Sequence, residues 1–346
     1  MGIESSCDET SIALVDGDGR ILSSVVASQF DAHRRFGGVV PEIAARAHLT
    51  NLPVLLDEAL ALAAVRLEDV TLVAATAGPG LVGALLVGLS EGKGLAMGLS
   101  VPFVPVHHIE AHALSAFLSL EGPARPIPER FAALVVSGGH THVFLFEAGR
   151  IELLARTRDD AAGEAYDKVA KMAGLGYPGG PLVDRLAARG RIEEPFAVAR
   201  FKDGSPDFSF SGLKTAVRER LEAQGLRSTA GQETLPEEAA PEALRNTFAA
   251  FQEAVVAQLE DRLTLLWNRE AFRVLSVSGG VAANGLLRER LPRWGGRYGV
   301  EVLLPARALT SDNAAMIAFA GLVRRREGRS DEGLAAVARS RWPLVR

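Results

Sequence analysis

Short apolar runs at residues 12–15, 72–75, 134–136 and 274–277 each give way to polar or glycine-rich residues, the pattern of buried strands. Between them, residues 41–62, 83–98 and 246–267 carry the longer apolar spacing of helices packed on one face. This alternation predicts an α/β fold with helices layered on sheets. The 35 glycines gather at the ends of the apolar runs, where a turn needs positive φ or a ligand must approach the backbone closely.

One pattern occurs twice. Residues 10–22 and 141–153 each read as strand, Gly-Arg tip and strand, with the tips at Gly19-Arg20 and Gly149-Arg150. Each follows a Ser- or Gly-rich turn, Ser5-Ser6 in one case and Ser137-Gly138-Gly139 in the other. Two generic hairpins would share these features by chance. A duplicated fold accounts for them and also for 346 residues, a length at which one core usually divides into two. Residues 223–243, rich in Glu, Ala, Pro, Gly and Gln and without aromatics, predict a solvated insertion or a loose helix pair and not a catalytic element. The charged tail after Arg324 is expected to pack only lightly.

A single cysteine, Cys7, excludes an internal disulfide and fits a reducing cytoplasm. The opening MGIESSCDET lacks a basic region followed by an apolar one, so no signal peptide is expected. The apolar stretch 81–89 falls short of the roughly 20 residues of a membrane span. A cytoplasmic protein with no membrane partner is the expectation. The net charge of -4 argues against a surface coated in nucleic acid and leaves room for a local basic patch.

Five of the seven histidines lie between positions 107 and 142. His108 and His112 stand four apart in a helical stretch, so their side chains fall about 40° apart on one face, close enough to share a cation. Two buried, hydrogen-bonded histidines would show the same spacing. The zinc-protease pattern His-Glu-x-x-His is not met, because Glu110 follows His108 by two residues and points about 200° round the helix. Glu110 is expected to orient a surrounding group or to meet solvent.

Three glycine-rich turns could cradle a phosphate or ribose: Val136-Ser-Gly-Gly-His140, Tyr177-Pro-Gly-Gly-Pro-Leu-Val-Asp184 and Ser278-Gly-Gly-Val-Ala-Ala-Asn284. A Walker loop is absent, since Gly88-Leu-Ser-Glu-Gly92-Lys93-Gly94 has the wrong spacing and no hydroxyl for magnesium. Asp160, Glu164 and Asp167 share helical spacing, either as a capped helix start or as part of a site. Asp312, in Ser311-Asp-Asn313, reads equally well as the cap of the apolar helix that follows or as a functional carboxylate. Asp8 and Glu9 sit on the first hairpin turn, where a carboxylate could face substrate or metal.

Taken together these segments resemble the TsaD family, the tRNA threonylcarbamoyladenosine transferases once called O-sialoglycoprotein endopeptidases. The resemblance runs nearly end to end. It takes in Gly2-Ile-Glu-Ser-Ser-Cys-Asp-Glu-Thr10, Gly37-Gly-Val-Val-Pro-Glu-Ile-Ala-Ala-Arg-Ala-His48, Gly78-Pro-Gly-Leu-Val-Gly83, His107-His-Ile-Glu-Ala-His112 and the glycine turns Val136–His140 and Ser278–Asn284. It also takes in Asp159-Asp-Ala-Ala-Gly-Glu-Ala-Tyr-Asp167-Lys168, Phe208-Ser-Phe-Ser-Gly-Leu-Lys-Thr215, Ser311-Asp-Asn313 and Ser340-Arg-Trp-Pro343.

The resemblance implies an actin/Hsp70/sugar-kinase-like fold with duplicated lobes around a nucleotide cleft. Residues 1–123 with 313–346 would form the N-terminal lobe and 124–312 the C-terminal lobe. It implies that His108, His112 and Asp312 hold one divalent ion, Fe(2+) in preference to Zn(2+). It further implies that Val136, Ser137, Gly138, Gly139, His140, Asp167, Gly180, Asp184 and Asn284 bind the adenylate. The implied reaction moves a threonylcarbamoyl group from threonylcarbamoyl-AMP to the N6 amine of the adenosine 3′ to the tRNA anticodon, releasing AMP. Asp8 and Glu9 are the candidates for moving the proton. Implied partners are tRNA, a non-catalytic homologous subunit (TsaB-like) that lacks the histidine pair, and a small ATPase (TsaE-like). Arg34, Arg35, Arg46, Lys202 and Lys214 are candidate cations for the RNA. The rival readings are a metalloprotease and a non-enzymatic, actin-like nucleotide-binding scaffold.

Overall fold

The apolar runs become strands of two five-stranded sheets in a computed structural model that describes residues 1–34, 36, 38–228, 235–329 and 332–344. The chain divides into two units, Met1–Ile127 with Pro305–Val345, and Pro128–Leu304. The first sheet contains β1 (Gly2–Glu4), β2 (Glu9–Val15), β3 (Ile21–Ser28), β4 (Val73–Gly78) and β5 (Phe103–His107), in the order β3-β2-β1-β4-β5. The second contains β6 (Arg130–Val136), β7 (Thr141–Glu147), β8 (Arg150–Arg156), β9 (Val274–Ser278) and β10 (Glu301–Leu303), in the order β10-β9-β6-β7-β8.

Both sheets follow one plan. A three-stranded antiparallel meander opens each, and its first strand then pairs in parallel with the fourth, which pairs in parallel with the fifth. The glycines at the two hairpin tips even share a backbone conformation, φ 77° at Gly19 and 78° at Gly149. The repeated strand–tip–strand pattern is therefore a repeated sheet.

Helices α1 (Phe30–Arg34), α2 (Pro41–Ala63), α3 (Val82–Leu99) and α4 (His108–Ser115) belong to the first unit. The second unit holds α5 (Ala162–Met172), α6 (Gly179–Ala187), α7 (Ser211–Ala223), α8 (Glu242–Glu270) and α9 (Gly285–Tyr298). The chain then returns to the first unit for α10 (Ala314–Arg326). Along α2, Ala44, His48, Leu52, Leu55 and Ala59 recur every three or four residues and form the stripe buried on β2 and β3. Each large apolar chain buried there, such as Ile3, Ile12 or Leu52, stabilises the fold by about 1.5–3 kcal/mol.

Helix α3 runs past residue 89, the end of the apolar stretch marked in the sequence, and its 18 residues reach a mean hydropathy of 1.3. By length and composition alone it matches a membrane span. Its small residues instead meet the sheet: a Cβ on Gly88 would lie 2.3 Å from Ser5 Oγ, and one on Gly92 2.9 Å from Phe103. On the other side of the helix, Val82, Leu86 and Met97 are exposed.

Three expectations are corrected. The unit boundaries fall at 127/128 and 304/305, not 123/124 and 312/313. Hydrogen bonds from Ala124 N–H to Asp18 and from Arg125 N–H to Phe117 keep that segment in the first unit, and the chain leaves the second unit as soon as β10 ends. Residues 229–234 of the expected insertion lie outside the described residues, but their flanks are pinned. Ser228 and Leu235 donate to Met172 and Gly174 at 2.8 Å, and Glu237 binds Arg185 and Arg189. The tail is no loose end either. Ala336 is fully buried, Arg339 N–H donates to Ala77 at 2.8 Å, and the Trp342 carbonyl lies 2.8 Å from His107 Nε2. Within this charged tail, Arg329 is anchored on the buried Glu110 at 2.8 Å.

Candidate metal centre and glycine turns

Strand β5 passes directly into α4, and this junction sets the histidines. His107 ends the strand and caps the helix, its Nδ1 accepting from Ile109 N–H at 3.2 Å. His108 and His112 follow one helical turn apart, with ring centroids 4.6 Å apart and planes at 90°. Asp312 arrives from just before α10. Asn313, not Asp312, caps that helix, accepting from Met316 N–H at 3.0 Å. The Asp312 carboxylate is thereby left to the histidines: Oδ1 lies 2.9 Å from His112 Nε2 and 3.5 Å from His108 Nε2.

One ligand atom from each of the three residues lies within 4.8 Å of the others. Two imidazoles and a carboxylate suit zinc or ferrous iron, and all three come from the first unit. Burial alone would lower the His108 pKa, but Asp312 and Glu4 outweigh it and raise it well above the usual range. In turn, burial raises the Asp312 pKa, and the two histidines more than reverse this, holding it well below the usual carboxylate range. Such a charged cluster is primed to exchange protons for a cation.

Glu4 was not singled out in the sequence, although a lone acid in an apolar strand calls for a buried partner. It is wholly buried, and its Oε2 lies 3.0 Å from His108 Nδ1 and 2.7 Å from Thr76 Oγ1, which donates to it. Donation from His108 Nδ1–H to Glu4 leaves Nε2 facing Asp312, the nitrogen that would serve as a metal ligand once its proton gives way to a cation. By contrast, His112 Nδ1 is buried with no hydrogen-bond partner among the described residues.

Asp8 ends the turn between β1 and β2, and Glu9, expected on that turn, is the first residue of β2; both belong to the same unit as the three donors. Burial, reinforced by Asp312 and Asp8, pushes the Glu9 carboxyl up to about 9, so it holds its proton at neutral pH. Glu110 corrects an expectation. It neither meets solvent nor orients the metal ligands, but lies buried with Arg324 Nη1 and Arg329 Nη1 each at 2.8 Å. A carboxylate clamped by two guanidiniums cannot serve as a protease base.

In the second unit the glycine turns converge at the carboxyl ends of β6 and β9. Ser137 N–H donates to His140 at 2.8 Å, and Gly163 N–H donates to Ser137 at 3.1 Å. A Cβ on Gly163 would lie 2.6 Å from the Ser137 carbonyl, and one on Gly279 2.3 Å from that of Val136. Gly138, Gly139 and Gly280 instead face open space. Carboxyl ends of parallel strands with open backbone are where α/β folds take nucleotides.

The carboxylates here shape the turns. Asp167 Oδ1 accepts from Gly179 and Gly180 N–H at 2.8 and 3.3 Å. Asp184 accepts from Gly285 N–H at 3.0 Å and from the Asn284 and Gln252 amides at 3.1 Å. Asn284 Oδ1 caps α9. Gln252 and Tyr166, both buried on helices, join this network and carried no turn signal in the sequence. Asp160 pairs with Lys168 at 2.8 Å and Lys214 at 2.6 Å, which commits Lys214 to an internal contact. Glu164 reaches back to Ala161 N–H at the start of α5. Arg46 and Lys202 are exposed, whereas Arg35 and the side chain of Arg34 lie outside the described residues.

A family profile described as tRNA N6-adenosine threonylcarbamoyltransferase, TsaD, matches residues 20–319. A protein of that name from Thermus thermophilus is 46% identical over 345 residues, spanning 99% of this chain and 98% of its own. One from Clostridium perfringens is 44% identical over 334 residues, spanning 96% of this chain and 94% of its own. Among solved structures, (R)-2-hydroxyglutaryl-CoA dehydratase component A from Acidaminococcus fermentans superposes with a TM-score of 0.51 at 16% identity, covering 94% of this chain and 98% of that one. HypF from T. kodakarensis gives 0.56 at 15% identity, over 80% of this chain and 43% of that one. The fold is thus the actin/Hsp70/sugar-kinase-like α/β fold.

Proposed function

This chain belongs to the TsaD family of transferases, and from that membership we propose the reaction its residues carry out. The threonylcarbamoyl group passes from threonylcarbamoyl-AMP to the N6 amine of the adenosine 3′ to a tRNA anticodon. The amine nitrogen forms a bond to the carbamoyl carbon, the bond from that carbon to the phosphate oxygen breaks, AMP departs with that oxygen, and one N6 proton is lost.

The observation that carries this reading is the convergence of His108, His112 and Asp312 in a member of a transferase family. These residues would hold one divalent ion, Fe(2+) in preference to Zn(2+). When bound, such an ion supplies Lewis acidity that polarises a carbonyl, worth several kcal/mol. Backbone amides of Gly138, Gly139 and Gly280 would hold the adenylate phosphate, with Asp167, Asp184 and Asn284 keeping those turns in shape. Glu9, which retains its proton, suits donation, and Asp8 is the candidate base for the N6 proton.

The partners belong to the same proposal. A TsaB-like homologous subunit fits the apolar face on α2 and α3, where Leu49, Val54, Leu62, Leu86 and Met97 stand exposed beside the groove lined by Leu52, Pro53 and Leu95. A TsaE-like ATPase and tRNA complete the set, and the chain would work in the cytoplasm.

The test is mass spectrometry of nucleosides from tRNA incubated with the protein, its partners and threonylcarbamoyl-AMP. Threonylcarbamoyladenosine should form with the wild type and not with His112→Ala. A wild-type protein that leaves the tRNA unchanged would refute the reading.

A further inference from the structure

The segment Gly37–His48 belongs to the family resemblance, yet among its described residues, 38–48, none enters the metal centre or the glycine turns. Its buried polar groups form a chain with a fixed direction. Val40 N–H donates to His33 Nδ1 at 3.3 Å. The His33 Nε2 must then carry the proton, and it faces Gln29 Oε1 at 3.2 Å. That orients the Gln29 amide nitrogen toward Thr10 Oγ1, at 3.3 Å, and the Ala44 carbonyl, at 3.4 Å. Thr10 Oγ1 lies 2.8 Å from His48 Nδ1, and His48 Nε2 lies 3.0 Å from the Cys7 carbonyl.

A carbonyl only accepts, so His48 Nε2 carries a proton; burial keeps the ring neutral, and His48 Nδ1 accepts from the Thr10 hydroxyl at 2.8 Å, with the Gln29 amide nitrogen also 3.3 Å away. Every polarity is thereby set, with a backbone donor at one end and a backbone acceptor at the other. His33, Thr10 and His48 are fully buried and Gln29 nearly so, where a reversed or broken link would leave a polar group unsatisfied. The chain ends on the turn that carries Asp8 and leads into Glu9 at the start of β2. Gln29 N–H also donates to the Asp8 carbonyl at 3.0 Å, so two successive carbonyls of that turn are held from one side.

We propose that His48 and His33, linked through Thr10 and Gln29, are positioning residues that fix the Cys7–Asp8 turn, and with it the start of β2 at Glu9, for the transfer reaction. The chain starts at the N-cap of α2 and ends beside the acids, so the entrance to that helix and the acidic turn move as one body. Neither histidine touches the three candidate metal donors in the contacts above. The proposal rests on the reaction proposed in the preceding section for the meaning of the acids, but not for the direction of the chain.

Two measurements test it on the full-length protein. Nitrogen-15 spectra of histidine-labelled wild type should show His33 and His48 as neutral Nε2–H tautomers, assigned with His33→Gln and His48→Gln. Finding either as the Nδ1–H tautomer would overturn the chain. In the reconstituted modification assay, Thr10→Val should lower kcat by about tenfold and leave KM for tRNA within about twofold, because the turn is misaligned and not removed. Thr10→Ser, which keeps the donor, should restore most of the rate. Unchanged kcat in Thr10→Val, or a Thr10→Ser protein as slow as it, would overturn the positioning role. If the wild type modified no tRNA, the proposed reaction would fail, while the tautomers would still decide whether the chain exists.

Discussion

His108 Nδ1 stands 3.0 Å from Oε2 of Glu4, a carboxylate with no exposed surface. This pair decides which imidazole nitrogen is free, and therefore whether the helix one strand away can offer a metal donor. Glu4→Gln keeps the shape but weakens the acceptor and can present its amide N–H₂ to the ring. Affinity for Zn(2+), measured by calorimetry on the apoprotein, should fall about 10–100-fold while far-UV circular dichroism stays unchanged. Undiminished affinity would show that Glu4 does not set the tautomer.

The Glu110 clamp separates stability from chemistry. Glu110→Gln leaves Arg324 and Arg329 with half their neutralisation in a buried place, a change that costs about 3–5 kcal/mol. Denaturant unfolding should record that loss, and nucleoside analysis should show an unimpaired rate per folded molecule. A rate that collapses at full stability would return Glu110 to the active site.

Gly163 is where the helix start presses on the Ser137 turn. Gly163→Ala places a methyl group 2.6 Å from the Ser137 carbonyl, so the turn must shift. AMP binding, followed by calorimetry, should weaken by about tenfold or more, and stability should drop by about 1–3 kcal/mol. Gly149→Ala makes a useful control: nothing lies within 4 Å of its Cβ, and its left-handed φ of 78° should cost stability alone.

Burial, assisted by Arg156, depresses the His142 pKa from 6.5 to about 4. The unfolded chain therefore binds the extra proton between those values, and stability rises with pH across that window. It is fully present above 6.5 and is lost as pH falls toward 4, by at most about 3 kcal/mol. His142→Phe should flatten this part of the profile in urea unfolding, and an unchanged slope would assign it to other groups.

Much of this was legible in the residues. The helical spacing of His108 and His112, the glycine turns and the doubled hairpin are local patterns, and local geometry made them what they looked like. What escaped the sequence was set by contacts across long separations. Glu110 finds its arginines more than 200 positions away, and His107 meets Trp342 at a separation of 235. The choice of Asn313 over Asp312 as a cap was balanced by propensity, and the neighbouring histidines decided it. Glu4, Gln252 and Tyr166 sit in strands or helices, where an isolated polar residue gives no hint of its partner.

The first unit is written in two pieces, Met1–Ile127 and Pro305–Val345, with the whole second unit between them in the sequence. A ribosome releases His108 and His112 some 200 residues before Asp312, and the Trp342 segment that braces His107 later still. A nascent chain can therefore finish its second sheet while the histidine pair still lacks its carboxylate. A cation offered to the first unit at that stage would meet two of the three candidate donors instead of all three.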